Sequence, residues 1–323
     1  MIFKSNVKIT YAESWLPFHH RFLIHTVEFL SARISLEKRY KRFVTLAHDK
    51  RGTKLWEHAL NSMGIARPIL EPLPKRDKST GLIIVANHPF GVADGVFLSW
   101  FASTFDENFK VIAHGVLQRE PILAGSILPI DFSNRKNAMR DNVEIRKKAI
   151  NILKSGGVIA IFPAGGVAWS RRKGQPIEED DWKPMVGRLI NDSKCDVIIT
   201  KFNGQNSNAF QIASRIHQTI KQSLYLYEIK KRLDKPMEFK VLEYLKNANL
   251  PKLNDRNLAR YLQSKVSNSN SLLKSFPAFF DRPGGAVGLL KNVSTSLTSR
   301  NLSPALIISE LGNFFNGVYL GWW

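Results

Sequence analysis

The sequence predicts an α/β fold: a mostly parallel central sheet flanked by helices, with an N-terminal amphipathic helix before it and a C-terminal extension after it. Three observations carry this prediction. Short apolar runs at residues 81–86, 109–113, 128–132, 157–162 and 196–202 recur along the middle of the chain. Stretches with helical spacing alternate with these runs, and such alternation builds sheets covered by helices. Two of the runs end abruptly in Pro- and Gly-containing turns, and in sheets of this kind ligands bind at strand ends.

Taken in order, residues 16–34 come first. Leu16, Leu23, Val27, Leu30 and Ile34 recur at helical spacing, and Phe22 and Phe29 widen the stripe. Arg21, His25, Glu28 and Arg33 interrupt a lipid-spanning reading. Lys38, Arg39, Lys41, Arg42, Lys50, Arg51 and Lys54 follow, against only Asp49 within residues 38–54. An apolar face followed by cations can lie in a bilayer interface, or the stripe can pack on the next domain; both readings stay open.

The run at 81–86 (GLIIVA) leads into residues 87–95 (NHPFGVADG), where Pro89 and Gly91 exclude a continuous helix. Residues 94–104 then read as a helix with Asp94 near its start. Residues 109–113 and 128–132 read as strands. His114, at the end of the first, and Arg119, in the turn beyond it, are secondary candidates whose duller roles are a structural histidine and a surface ion pair. Residues 137–154 read as a helix with Met139, Val143, Ile150 and Leu153 close to one face. The strand at 157–162 runs into a Pro-Ala-Gly-Gly turn, and 196–202 is the next strand.

Beyond about residue 245 the pattern changes. Residues 254–273 read as a polar helix, and 276–323 carry Phe276, Phe279, Phe280, Phe314, Phe315, Tyr319, Trp322 and Trp323. These aromatics read as a membrane-interface anchor, a core cap or a dimer contact. The expected organisation is residues 1–60 as a helical, membrane-associating region, 61–245 as the α/β domain and 246–323 as an aromatic-rich helical extension.

Composition narrows the partners. The chain has 323 residues, 44% of them hydrophobic, enough for one large core or two smaller ones. Its net charge of +20 calls for anionic partners: nucleic acid, anionic lipid or an acidic carrier protein. No zinc finger, RNA-binding aromatic motif or basic zipper is present, so no nucleic acid is expected. A single cysteine, Cys195, excludes an internal disulfide and suits a reducing compartment, and nothing near it in sequence would make it a thiolate. The eight histidines show no metal-ligand spacing, so neither a metal nor a bound cofactor is expected. Residues 1–10 lack the apolar core of a signal peptide, and no window holds about 18 uncharged apolar residues. The expected location is cytoplasmic and peripheral on the inner face of the membrane.

Two segments carry chemistry. In the first, His88 is a base suited to neutral pH, and Asp94 could orient its ring and support its cation; as a bare spacing the pair is weak, and an N-cap is the structural alternative for Asp94. In the second, residues 157–170 (GVIAIFPAGGVAWS), Gly165 and Gly166 let the backbone approach a ligand and leave amides for a phosphate or an oxyanion. Arg171, Arg172 and Lys173 follow as a cationic run.

In this order the two segments resemble the lysophospholipid acyltransferase superfamily, and most of all its bacterial haemolysin-like branch, in which an NHPFG turn precedes an FPAG turn. The resemblance extends through residues 202–207 (FNGQNS) and covers roughly residues 10–245. Two departures stand out. Five residues separate His88 from Asp94 where the superfamily has four, and Ala164 and Gly166 replace the Glu and Thr of its FPEGT motif. The resemblance implies an acyltransferase-like fold and transfer of a fatty acyl group from acyl-CoA or acyl carrier protein to a hydroxyl or amine of a lyso-lipid or amino-lipid. It implies His88 as general base with Asp94 orienting it, and Asn87, Phe162, Gly165, Gly166, Arg171, Arg172, Asn203 and Asn206 as substrate-binding. The altered FPAGG turn motivates the alternative, a catalytically weak lipid-binding or scaffold protein on the same fold.

Overall fold

The computed structural model describes residues 10–269, apart from 11, 13–15, 48, 69, 71, 115–120 and 132–136. Arg119 and the C-terminal aromatics lie outside the described residues. In chain order the helices are α1 (Phe18–Glu28), which runs through a π-helical turn (Phe29–Arg33) into α2 (Ile34–Ala47), then α3 (Gly52–Met63) and α4 (Val92–Ser103). They continue with α5 (Pro121–Ala124), α6 (Ala138–Lys154), α7 (Pro184–Ser193), α8 (Asn208–Ile216), α9 (Gln218–Ser223), α10 (Tyr225–Arg232) and α11 (Asp255–Asn268). The strands are β1 (Leu82–Ala86), β2 (Lys110–His114), β3 (Ile127–Ile130), β4 (Val158–Ile161), β5 (Asp196–Asn203) and β6 (Glu238–Leu245).

These strands form one sheet in the order β3-β2-β4-β1-β5-β6. Neighbours among β1 to β5 run parallel, and β6 closes one edge antiparallel to β5. β1 sits centrally because its sequence, LIIVA, offers both faces to apolar neighbours: every residue is buried. Leu82 is in register with Val158 and Asp196, so β1 and β4 end together while β5 runs on past Thr200, the partner of Ala86. Pro129 falls in β3 at the opposite edge, where a missing amide is tolerated.

Alternation along the strands divides the interior into two cores. Leu82, Ile84, Ala160 and Ile198 meet Phe97 and Phe101 of α4 and Trp56 and Leu60 of α3. Ile83, Val85, Ile159 and Val197 meet Leu153 of α6, Val186 and Leu189 of α7, and Leu258 and Leu262 of α11. The polar helix expected beyond residue 245 thus carries one apolar row into the second core.

The structure corrects one predicted helix face. On α6 the inward row is Ala138, Asn142, Ile145, Ala149 and Leu153, while Met139 faces solvent. Asn142 belongs to that row because its side chain bonds both the amide and the carbonyl of Asp131. At the N-terminus the packing row is Ile24, Glu28, Ala32 and Leu36. A spacing of four drifts around a 3.6-residue helix, and the wider π turn at Phe29–Arg33 absorbs the drift. Of the predicted stripe Leu16 is buried and Val27 half-buried, whereas Leu23, Leu30 and Ile34 are exposed, along with Phe18 (79%), Phe22 (64%) and Phe29. Arg39, read as a surface cation, is bound by both carboxylate oxygens of Asp234. Among the described residues no helix is long and apolar enough to cross a membrane.

Candidate active site

The site lies where β1 and β4 end side by side, next to β5. β1 delivers Asn87 and His88, and the chain then turns through Gly91 (φ +90°, ψ −116°) into α4. Few residues other than glycine adopt that backbone, and it accommodates the extra residue between His88 and Asp94. The helix begins at Val92, so Asp94 stands in its first turn and is not the N-cap, which is Gly91.

Asp94 is completely buried, and its carboxylate is enclosed by donors. Oδ2 accepts the Phe90 amide at 2.9 Å, and Oδ1 accepts the Gly95 amide at 3.1 Å. Oδ1 also lies 3.1 Å from His88 Nδ1. That contact is at ion-pair distance but off the line of a well-formed N–H···O bond, so Nδ1 is buried without a straight hydrogen-bond partner. The His88 side chain is 18% exposed while Nδ1 is fully covered, so its open surface is on the rest of the ring. The ring stacks on Phe162 at the end of β4, with centroids 4.0 Å apart.

A second carboxylate, which the sequence reading did not single out, holds the histidine backbone. Glu179 Oε1 accepts the His88 amide at 2.5 Å, and Oε2 accepts Trp182 Nε1 at 2.9 Å. Burial pushes the Glu179 carboxyl up to about 7, against the opposing pull of those two donors and of His88. Burial alone would lower the His88 imidazole, but the Asp94 and Glu179 charges outweigh it and hold the ring above its ordinary value. The signal for Glu179 was present as the acidic run at residues 178–181 in a strongly basic chain.

The turn after β4 runs alongside the histidine: the Ala168 amide donates to the His88 carbonyl at 2.8 Å. Gly165, at φ +77°, closes the turn, and its amide donates back to the Phe162 carbonyl. It is therefore not free to receive an oxyanion. The Gly166 amide has no protein acceptor among the described residues, and a side chain there would meet nothing within 4 Å. Asn87, expected to touch substrate, instead ties β1 to β5: its side chain accepts the Phe202 amide at 2.7 Å and donates to the Phe202 carbonyl at 2.8 Å.

The remaining predicted residues spread out. Arg171 is exposed and bound to Asp180 at 2.7 Å, because the acidic run folds back beside it; Arg172 is exposed. Asn203 ends β5 opposite Glu238, half-buried. Asn206 is buried, with Nδ2 lacking a partner. His114 is exposed at the end of β2. Burial raises the Cys195 thiol to about 12, which leaves it unreactive. No group of three metal-ligating side chains occurs among the described residues. A cavity of about 760 Å³ opens at the opposite end of the sheet, beside Lys110, Ser155 and Gly157, and does not include His88.

A buried His–Asp pair thus stands at the end of a central parallel strand, beside a Gly-Gly turn that follows the adjacent strand. Residues 68–213 match the family model described as Acyltransferase. Over 142 residues, 44% of this chain and 47% of the relative, the sequence is 30% identical to a lyso-glycine lipid O-acyltransferase of Phocaeicola vulgatus. Over 171 residues, 52% of this chain and 59% of the relative, it is 27% identical to a lyso-glycine lipid O-acyltransferase of Bacteroides thetaiotaomicron. The chain spans about half the length of the curated relatives it matches.

Proposed function

We propose that the protein is an acyltransferase that moves a fatty acyl group from an acyl thioester to the hydroxyl of a lyso-lipid of the amino-acid type. The observation that carries this reading is His88 Nδ1 at 3.1 Å from a fully buried Asp94, with the rest of the imidazole open at the strand end. Held on its Nδ1–H side by the carboxylate, the ring offers Nε2 as the proton acceptor. Nε2 takes the proton of the acceptor hydroxyl as the oxygen attacks the thioester carbonyl. The tetrahedral oxyanion then collapses, the C–S bond breaks, and His88 returns the proton to the leaving thiolate.

The Gly166 amide is the donor that fits the oxyanion, since the Gly165 amide is already used. Base catalysis contributes roughly 10²–10⁴-fold and one oxyanion donor roughly 10²–10³-fold. The acceptor class follows the names of the two relatives, which act on lyso-glycine lipid by O-acylation. The donor, acyl carrier protein or acyl-CoA, and the haemolysin-like branch rest on the NHPFG and FPAG resemblance.

Peripheral attachment to the anionic inner face of the membrane belongs to the same proposal. Phe18, Phe22, Phe29, Leu30 and Ile34 expose large apolar side chains, and Lys38, Lys41 and Arg42 follow on exposed positions of α2. The test is lipid composition: cells lacking the protein should accumulate a lyso amino-acid lipid and lose its O-acylated product. An unchanged profile of these lipids would overturn the reading.

A further inference from the structure

Lys221, on α9, has a role that the reaction above does not use. Its side chain is buried, 7% exposed, yet its ammonium has no carboxylate at ion-pair distance among the described residues. Asp180, the acid whose charge acts on it, is committed to Arg171 at 2.7 Å. Nζ donates one long hydrogen bond, 3.3 Å, to the Val167 carbonyl. Beyond that it faces aromatic rings, with the Trp169 and Phe210 centroids each at 5.6 Å. Lys201 makes the contrast. It too is buried, but its ammonium is held at 2.9 Å by the Val266 carbonyl and at 2.8 Å by Ser269 Oγ. A buried cation without an anion is costly, and ring faces offset that cost only in part.

Its place makes the missing anion informative. The segment that receives Nζ is the one whose next amide, Ala168, is bonded to the His88 carbonyl, and the Lys221 charge is felt at His88. An anion bound at Nζ therefore sits beside the base. The phosphate of a pantetheine thioester is separated from the reacting carbonyl by a long chain of single bonds and two amides. The head-group anion of an acceptor lies only a few bonds from its hydroxyl. A second donor short of an acceptor, Asn206 Nδ2, belongs to the same wall: Gln211 Nε2 bonds the Asn206 carbonyl, and Gln211 Oε1 bonds the Ser170 amide next to Trp169.

We infer that Lys221 is the specificity-determining residue for the acceptor, its ammonium pairing with the carboxylate of the lyso-lipid head group. This rests on the acyl-transfer reading for the identity of the acceptor, but not on turnover for its test. The experiment is calorimetric binding of a mono-acyl lyso-glycine lipid with a free carboxylate, and of its methyl ester, to the wild-type protein, Lys221→Met and Lys221→Arg. Lys221→Gln replaces the Met variant if that fails to fold by circular dichroism. The wild type should prefer the acid by roughly 30-fold or more, the usual scale for truncating one partner of a desolvated charge pair. Lys221→Met should lose that preference with ester binding unchanged, and Lys221→Arg should restore part of it.

Equal binding of acid and ester by the wild type overturns the assignment without any variant. So does a Met variant that keeps the preference, or one that loses both ligands equally, which marks a structural lysine. A Met variant that instead weakens a phosphorylated acyl-pantetheine and leaves the lipid untouched moves Lys221 to the donor and overturns it as well. If the acid preference is present and lost in the Met variant while no acyl transfer occurs, the acyltransferase reading fails and the assignment of Lys221 stands.

Discussion

Replacing Asp94 with Asn tests the pair at its weakest point. Three donors surround the two carboxylate oxygens: the Phe90 amide, the Gly95 amide and His88 Nδ1. An asparagine has one carbonyl oxygen, so its NH₂ group must face at least one of them. If the oxygen stays on Phe90, the NH₂ faces the Gly95 amide and the ring, and His88 meets it by moving its proton to Nε2. That tautomer cannot accept a proton from the acceptor hydroxyl. Losing a hydrogen bond to a charged acceptor costs about 1.5–3 kcal/mol, against a total stability of about 5–15 kcal/mol, so the variant should fold but melt lower. The kcat should fall by roughly 10⁴, the scale of losing the orienting carboxylate in a histidine-based triad. Stopped-flow release of thiol from an acyl thioester, paired with a melting curve, measures both. A folded Asp94→Asn variant with kcat within about tenfold of wild type would refute the reasoning, since the wrong tautomer cannot support base catalysis.

Further expectations concern Glu179, the turn glycines and α1. Because the Glu179 carboxyl is raised from 4.5 to about 7, its contribution to stability is present below pH 4.5 and is lost as pH rises through 7; Glu179→Gln should flatten that part of the stability profile. Removing its charge also lowers the His88 pKa, so the acidic limb of the kcat/KM profile should move to lower pH, as a pH-rate series will show. Gly165→Val should lower stability by about 1–2 kcal/mol through its positive φ, whereas Gly166→Ala should fold as the wild type does, read by chemical denaturation. Replacing exposed Phe22 and Phe29 with Ser should leave circular dichroism unchanged and reduce flotation with anionic vesicles even at high salt, because apolar insertion is little screened.

The sheet was legible because buried parallel strands announce themselves as continuous apolar runs, and those at 81–86, 157–162 and 196–202 became β1, β4 and β5 almost end to end. The His–Asp proximity was legible only in part. Pro89 and Gly91 signalled a turn, but the start of α4 at Val92, and hence Asp94 in its first turn, depends on a backbone angle that no spacing encodes. The row by which the N-terminal helices pack, Ile24, Glu28, Ala32 and Leu36, was not legible, because a π turn changes the period on which a 3.6-residue pattern rests. Asn87 and Asn206 were grouped as substrate contacts, yet the first is consumed by the Phe202 backbone. Glu179 and Lys221 lie 91 and 133 positions from His88, and only the crossing of a long loop and α9 over the strand end brings them there.

The central claim, acyl transfer by His88, is tested most directly by mass spectrometry of the lipid product. Purified protein is incubated with acyl carrier protein thioester, or acyl-CoA, and a mono-acyl lyso-glycine lipid, alongside a His88→Asn variant verified as folded. The wild type should convert the lyso-lipid to its O-acylated form, and the variant should be slower by at least roughly 10²-fold. Equal rates in the two proteins, or no acylated product from the wild type with either donor, would contradict it.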